Sequence, residues 1–319
     1  MMTSSTVLNP DHIQQLIDEE EIPLRNRSFG PEITQSAFRY GAVIGSVIEK
    51  HSQISRGAEW ARQLILDSEE KNESFHSGTV ILADEMIHSK GRFKRYWHAP
   101  KGGVWMTLAL VNTLLPESSL LLPMAAGVAC CEVLRHYGVE AHIKWVNDTL
   151  VDNKKISGIL TETFIGPRFG EEYILIGIGI NVNNDLFPPG ISETAISMKS
   201  CLHKEISLQE VIARLLVKLR WNIGLLFCEE AKHLEKHGGL AIRNKTETEN
   251  SPEDEHLLLK SYKSLTDIFT RRVLFGFDVQ EHPQFEAKII GLDNTGGLIL
   301  EMVDSSRIVQ HSGEIIYLD

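Results

Sequence analysis

Apolar and polar positions alternate along this chain in two rhythms, and the change from one to the other marks out its elements. Residues 1 to about 35 are mostly polar; Asn9 and Pro10 open one short helix that the pattern carries to about Glu21, before Pro23. Apolar density rises from about Phe38. Residues 58–66 (AEWARQLIL) repeat at helical spacing, and 78–83 (GTVILA) and 103–111 (GVWMTLALV) read as buried strands. Ser118 and Ser119 are placed to cap a helix over about 120–137, with Gly138 as its stop. Segments 141–146, 155–164 and 173–182 are strand-like, with Asp152-Asn153 as a hairpin turn between the first two. Ser207 and Glu210 form a capping box for a long amphipathic helix that runs through Val211, Ile212, Leu215, Leu216 and Leu219 to near Gly238-Gly239. Residues 245–255 (KTETENSPEDE) read as an exposed acidic linker, and the short strands at 272–279, 286–292, 297–303 and 307–310 as a small all-β barrel.

Composition narrows the function classes. With 319 residues, 42% of them apolar and 24% charged, the chain can bury a large core, which excludes wholesale disorder and a disulfide-stapled miniprotein. The longest apolar runs, such as 120–131, are interrupted by Pro123 and are expected to be too short for a bilayer span; no leader with a cleavage site is evident. Cys130, Cys131, Cys201 and Cys228 show no metal-ligand spacing, so a cytoplasmic, reduced, metal-free protein is expected. A net charge of −11 argues against nucleic acid and anionic membranes as partners, and residues 1–35 are too short for a helix-turn-helix module with its own core. Any basic cluster therefore stands out.

One does. Residues 89–97 (SKGRFKRYW) contain Lys90, Arg92, Lys94 and Arg95 beside Gly91, with Trp97 at the end. Such a loop can wrap backbone N–H groups and guanidinium forks around phosphate oxygens, and Gly91 permits the positive φ such a wrap needs; a solvated basic loop is the plain alternative. A second feature is 144–148 (KWVND) followed by 154–162 (KKISGILTE). Lys155 follows the turn and can reach across a sheet face, and Gly158 leaves room for a ligand against the backbone. Strict alternation would put Ile156, Gly158 and Leu160 on one face and Lys155, Ser157, Ile159 and Thr161 on the other. Lysines beside turns commonly serve solubility, and Asn147-Asp148 can be turn chemistry alone. The third feature, 177–183 (GIGINVN), lacks the helix-opening glycine of a dinucleotide fingerprint. Its glycines suit close approach of another backbone, and Asn181 and Asn183 suit polar recognition.

Taken together, these stretches resemble the biotin–protein ligases of the biotin/lipoate ligase superfamily. Residues 144–162 (KWVNDTLVDNKKISGILTE) are similar to that family's KWPND, basic pair and GILxE strand. Residues 83–97 resemble its ligand loop, 173–183 its GxGxNVN strand, 195–198 (AISM) its ATSL segment, and the end of the chain with 311–314 (HSGE) its SH3-like cap. The resemblance implies an α+β fold: a mixed, antiparallel-rich sheet flanked by helices, as in class II synthetase-like ligase cores, with a small C-terminal SH3-like barrel. It implies an extension over 1–35, a catalytic domain over 36–240, a linker over 241–256 and the cap over 257–319. The implied activity uses ATP and Mg2+ to activate biotin as an acyl-adenylate, then passes it to a lysine of a carboxylase biotin carrier domain; a homodimer is compatible with it. By position, Lys155 would be the central catalytic charge, Arg92 and Arg95 would grip phosphate, and Asp148 would assist metal placement or deprotonation of the carrier lysine. Asn181 would read the nucleotide and Trp97 cover it, with Lys90, Gly91, Lys144, Asn147 and Gly158 completing the acyl-adenylate site.

The departures from the family pattern cluster at one end of that site. Met86-Ile87 stand for the loop's Gln-Thr, Ser89 and Lys94 for two of its glycines, Val146 for the proline of KWPND, and about Arg56-Gly57-Ala58 for its Ser-Thr-Asn. The phosphate-handling charges are thus kept better than the groups that read the biotin ring. A ligase for lipoate or another medium-chain acid, and a non-catalytic acyl-adenylate-binding protein, are the rival readings.

Overall fold

The computed structural model describes residues 8–237 and 256–318; the acidic stretch 245–255 and Gly238-Gly239 lie outside the described residues. The chain opens with α1 (Pro10–Leu16), whose cap Asn9 accepts from the Asp11 N–H at 3.0 Å. A π-helical stretch over Ile17–Glu21 leads into α2 (Ile22–Phe29), so the helix passes the point where Pro23 was expected to end it. Pro23 falls in the first turn of α2, where its missing N–H costs little. After α3 (Pro31–Gly41) the chain enters the sheet. Ile13, Leu16 and Ile17 are buried in the main core, and Arg25 is buried between Glu21, at 3.0 Å, and Glu132, at 2.8 Å. The expected boundary at 35/36 falls within α3, and residues of the lead-in pack into the main core.

Seven strands form the central sheet: β1 (Ile48–His51), β2 (Thr79–Ala83), β3 (Val104–Val111), β4 (His142–Lys144), β5 (Asp148–Val151), β6 (Lys154–Ile165) and β7 (Glu172–Ile180). Their order is β1-β2-β3-β7-β6-β5-β4; β1 and β2 run parallel and every other neighbour antiparallel, so the sheet is mixed as expected. The Asp152-Asn153 turn has φ of 50° and 61°, the left-handed pair a two-residue hairpin needs, and joins β5 to β6.

Helices cover both faces. On one lies α4 (Gly57–Glu70), packed on Ile81, Trp105, Ala109, Tyr173 and Leu175. After the short α5 (Pro116–Ser119), the other face carries α6 (Leu122–His136), then, beyond α7 (Met198–Leu202), α8 (Leu208–His237). Alternation along β3 and β7 sorts the two cores: Trp105, Thr107 and Ala109 face α4, while Met106, Leu108 and Leu110 join the core that holds α6 and α8. Ser118 and Ser119 do not cap α6: its N-cap is Leu121, and the Ser119 hydroxyl donates to the Pro116 carbonyl at 2.9 Å, closing α5. Gly138, with φ of 83°, does end it. Residues Pro116–His136 match a membrane span by length and composition alone, but most of the stretch is buried inside the fold, as befits a core helix. Ser207 caps α8 through the Glu210 N–H at 3.3 Å, while the Glu210 carboxylate turns to Arg214 and His12.

Beyond the undescribed stretch, α9 (Leu257–Ser264) buries Leu258, Leu259 and Tyr262 in the same core. It thus packs into the main core, although the expected cap boundary at 257 places it with the cap. The cap is a second, antiparallel sheet, β11-β10-β9-β8-β12, from β8 (Arg272–Gly276), β9 (Phe285–Leu292), β10 (Leu298–Glu301), β11 (Arg307–Gln310) and β12 (Glu314–Tyr317). It makes the expected small barrel-like domain. Trp145 ties the two together, donating its indole N–H to the Gly296 carbonyl at 3.0 Å.

Candidate active site

A cavity of about 250 Å³ opens on the α4 face of the sheet, where side chains are missing. Gly158 on β6 pairs directly with Gly179 on β7, and Leu160 with Gly177, which leaves a gap in the layer that Tyr173 and Leu175 fill further along. The Trp97 indole roofs this gap. A Cβ on Gly179 would meet its ring at 2.7 Å, and one on Gly158 would meet it at 3.1 Å. Gly179 therefore admits an aromatic ring, whereas a Cβ on Gly177 would meet only the Leu160 carbonyl, at 3.5 Å. The buried Trp97 Nε1 has no partner.

Lys155 reaches this floor because strict alternation fails. The register shifts from Thr149 opposite Ser157 to Leu150 opposite Lys155, so Ile156 is an extra residue, a β-bulge. The bulge brings Lys155 onto the face of Gly158, whose built Cβ would lie 3.1 Å from Nζ, while Ile156 and Ile159 turn into the α6 core. The expected grouping of Lys155 with Ser157 and Ile159 is thereby corrected. Two backbone bonds fix the lysine: its N–H donates to Thr194 O at 2.7 Å, and its carbonyl accepts from Ile196 at 3.1 Å. Its ammonium lies 2.7 Å from Asp148 Oδ1 and 5.2 Å from the Trp97 ring centre.

Asp148 stands among cations. Burial alone would raise its carboxyl, but Lys155, then Arg92 and Lys144, outweigh that and hold it below the usual carboxylate range. Lys144 sits opposite Asp148 in the β4–β5 ladder, its ammonium 5.6 Å from the Tyr317 ring centre. Burial, with repulsion from Lys155 and Arg92, lowers its pKa. Lys144, expected in the acyl-adenylate site, does not line the cavity and instead backs Asp148. Asn147 is buried; its amide donates to the Ile159 carbonyl and its Oδ1 is unpartnered.

Residues 89–97 fold as a small hairpin over the cavity, with Gly91 N–H to Arg95 O at 2.7 Å and Trp97 N–H to Ser89 O at 3.2 Å. The left-handed residue at its tip is Phe93, with φ of 53°; Gly91 is extended, at φ −96°, so the expected use of Gly91 is corrected. Arg92 donates to the Gly313 carbonyl at 2.8 Å, and Arg95 forks onto Glu314 at 2.6 and 2.9 Å and reaches Asp278 at 3.1 Å. Both arginines line the cavity, as do Lys90, Gly91 and Glu314, and through them the cap holds the loop. Sequence reasoning missed this contact, which joins segments 219 residues apart.

Asn181 also lines the cavity, but its amide is spent within the protein. It donates to the Ile196 carbonyl at 3.1 Å and accepts from Asn184 at 2.8 Å, so it fixes the segment behind Lys155 instead of facing a base. Asn183 likewise bonds to the Ile206 backbone. The sequence reading also passed over Glu162. It lines the cavity with Arg56 and pairs with that guanidinium, Arg62 being 3.5 Å away; the final Glu of GILTE was the available signal. Among the described residues no group of three potential metal ligands occurs.

Residues 54–181 match the model of the biotin/lipoate A/B protein ligase family. Among curated relatives, the bifunctional ligase/repressor BirA of Bacillus subtilis is 29% identical over 279 residues, covering 85% of this chain and 75% of the relative. Biotin–protein ligase 2 of Arabidopsis thaliana is 28% identical over 167 residues, 50% of this chain and 49% of its own. The solved biotin protein ligase from Aquifex aeolicus in complex with biotin and ATP superposes with a TM-score of 0.61 at 21% identity, covering 85% of this chain and 98% of that one; at that identity the likeness establishes the fold.

Proposed function

Because residues 54–181 match the model of the biotin/lipoate A/B protein ligase family, we propose that the chain is an ATP-dependent biotin–protein ligase. It activates biotin as biotinyl-5'-AMP with loss of pyrophosphate, then transfers the biotinyl group to a lysine of a carboxylase carrier domain with release of AMP. The observation that carries this reading is the bulge that sets the Lys155 ammonium over the Gly158–Gly179 gap beneath Trp97. An acid lying in that gap presents its carboxylate to a fixed cation, which offsets its repulsion from the α-phosphate and stabilises the charge that develops as the acyl–phosphate bond forms. Arg92, Arg95 and Lys90 on the hairpin above are the charges for the phosphate side. Arg95 would exchange carboxylate partners for phosphate oxygens, a change that keeps its forked geometry.

Mg2+ would arrive with the triphosphate, since it binds through one or two carboxylates plus substrate phosphates. Asp148, kept ionised by three cations, is the carboxylate that suits it. The alternative role for Asp148 is to accept a proton from the carrier lysine once Lys155 turns to the adenylate. Cysteines Cys130, Cys131, Cys201 and Cys228, all free, suit a reducing compartment, and we place the enzyme in the cytoplasm. Pyrophosphate exchange into ATP, measured with biotin, lipoate and octanoate in turn, tests the reading. Biotin-dependent exchange is expected; exchange with another acid alone would support the lipoate or medium-chain alternative, and none with any of them would leave only a binding role.

A further inference from the structure

At the end of the cavity away from Lys155, polar groups lie where the sequence promised mainly apolar ones. Arg56, 8% exposed, pairs with Glu162, and both line the cavity together with Gly57, Ala58, Met86 and Thr107. Glu162 is four residues beyond Gly158 on the same face of β6, roughly 13 Å along the strand. The Lys155 ammonium stands over Gly158, so the ion pair and the ammonium mark two ends of one slot. Between them the walls are Gly177, Leu160 and the Trp97 ring. The Arg56 guanidinium has donors beyond the one that meets Glu162. As the N-cap of α4 it cannot accept from that helix's first turn, which no side chain caps.

We infer that Arg56 and Glu162 form the subsite for the ureido ring of biotin, an inference that rests on the proposed function above. A cyclic urea carries one carbonyl acceptor flanked by two N–H donors. The subsite is its complement: a guanidinium that donates to the carbonyl oxygen, and beside it a carboxylate that accepts from an N–H. The pair is held in place before the ligand arrives, which limits the ordering that binding requires. A saturated hydrocarbon end, as in octanoate, would leave the pair intact but its remaining donors and acceptor sites desolvated without partners, so the same pair disfavours medium-chain acids. Arg56 and Glu162 are thus specificity-determining residues, and the absence of the family's Ser-Thr-Asn and Gln at this end does not mean loss of biotin recognition.

The test measures biotin-dependent pyrophosphate exchange and calorimetric biotin binding for the unmodified chain, Arg56→Met and Glu162→Gln, with melting curves for each. Both substitutions are expected to raise KM for biotin about 10- to 100-fold, the factor carried by a hydrogen bond to a charged group, with kcat little changed. Arg56→Lys, which keeps a donor and the charge, is expected to recover part of the loss. Folded variants whose KM for biotin is unchanged, or that lose kcat instead, would overturn the subsite while leaving the ligase reading intact. An unmodified chain that exchanges with octanoate but not biotin would overturn both.

Discussion

Replacing Lys155 by Met keeps most of the side chain's length and removes only its charge, so the variant isolates what the ammonium contributes. In the fold that ammonium lies 2.7 Å from Asp148 and over the glycine gap where the acid's carboxylate belongs. Loss of one fixed cation aimed at developing charge lowers the rate by about 10²–10³, or ~2.7–4 kcal/mol of transition-state stabilisation. Stability changes less. Asp148 loses its nearest counter-charge, but Arg92 and Lys144 remain and the pair is partly open, with the lysine side chain 35% and the aspartate 20% exposed. A cost of about 1–2 kcal/mol follows, between the values for surface and buried pairs. Pyrophosphate exchange at saturating ATP reads the first effect, and a denaturant midpoint reads the second. Adding Asp148→Asn should restore much of the stability and none of the rate. Lys155→Arg should also fail, because Gly158 and Trp97 already crowd the ammonium. A folded Lys155→Met variant exchanging within tenfold of the unmodified chain would refute the reasoning.

Three further outcomes are expected. Gly179→Ala places a methyl 2.7 Å from the Trp97 ring, so the melting temperature should fall by a few degrees, as overpacking by about 1–3 kcal/mol implies, and calorimetric biotin binding should be lost. Glu314→Gln removes half of the fork that holds Arg95, whose side chain is 44% exposed. Global stability should change by less than about 1 kcal/mol, whereas amide hydrogen exchange across residues 89–97 should quicken; unchanged exchange there would mean that the cap does not hold the loop. Asp148, with its folded pKa below the ordinary 3.8, contributes stability that is complete above that value and lost as pH falls through the folded one. The acid limb of a stability–pH curve should therefore flatten in Asp148→Asn, and an unchanged limb would contradict the placement of the three cations.

Much of this architecture was legible because burial on both faces writes long apolar runs. Residues 79–83 and 104–111 appear as strands within a residue of the sequence reading. The helix α3 was not legible, since small residues pack it. Gly41 lies against the Arg220 backbone, and the Ala37 carbonyl against Gly224, with no space for a Cβ. Its apolar stripe is present, with Ile33, Ala37 and Phe38 packed on the cluster around Trp221, but the close-contact face also uses Thr34 and Gly41, which do not read as apolar in sequence. The bulge at Ile156 was hidden for a related reason: one inserted residue leaves the sequence alternating but moves Lys155 to the other face. Of the site, the cations were readable from their contrast with an acidic chain, but not their present partners. Arg95 with Glu314 and Arg56 with Glu162 are tertiary pairs that no local spacing announces. Asn181 shows the converse: a polar residue at a strand end looks available in sequence, yet its amide is consumed by Ile196 and Asn184.

The most direct measurement is a crystal structure with a non-hydrolysable biotinyl-adenylate analogue. The account predicts the bridging acyl–phosphate group within hydrogen-bonding distance of Lys155 Nζ, the ureido ring at Arg56 and Glu162, and at least one of Arg92 and Arg95 turned from the cap to the phosphate side. An analogue bound with its phosphate remote from Lys155 would contradict it.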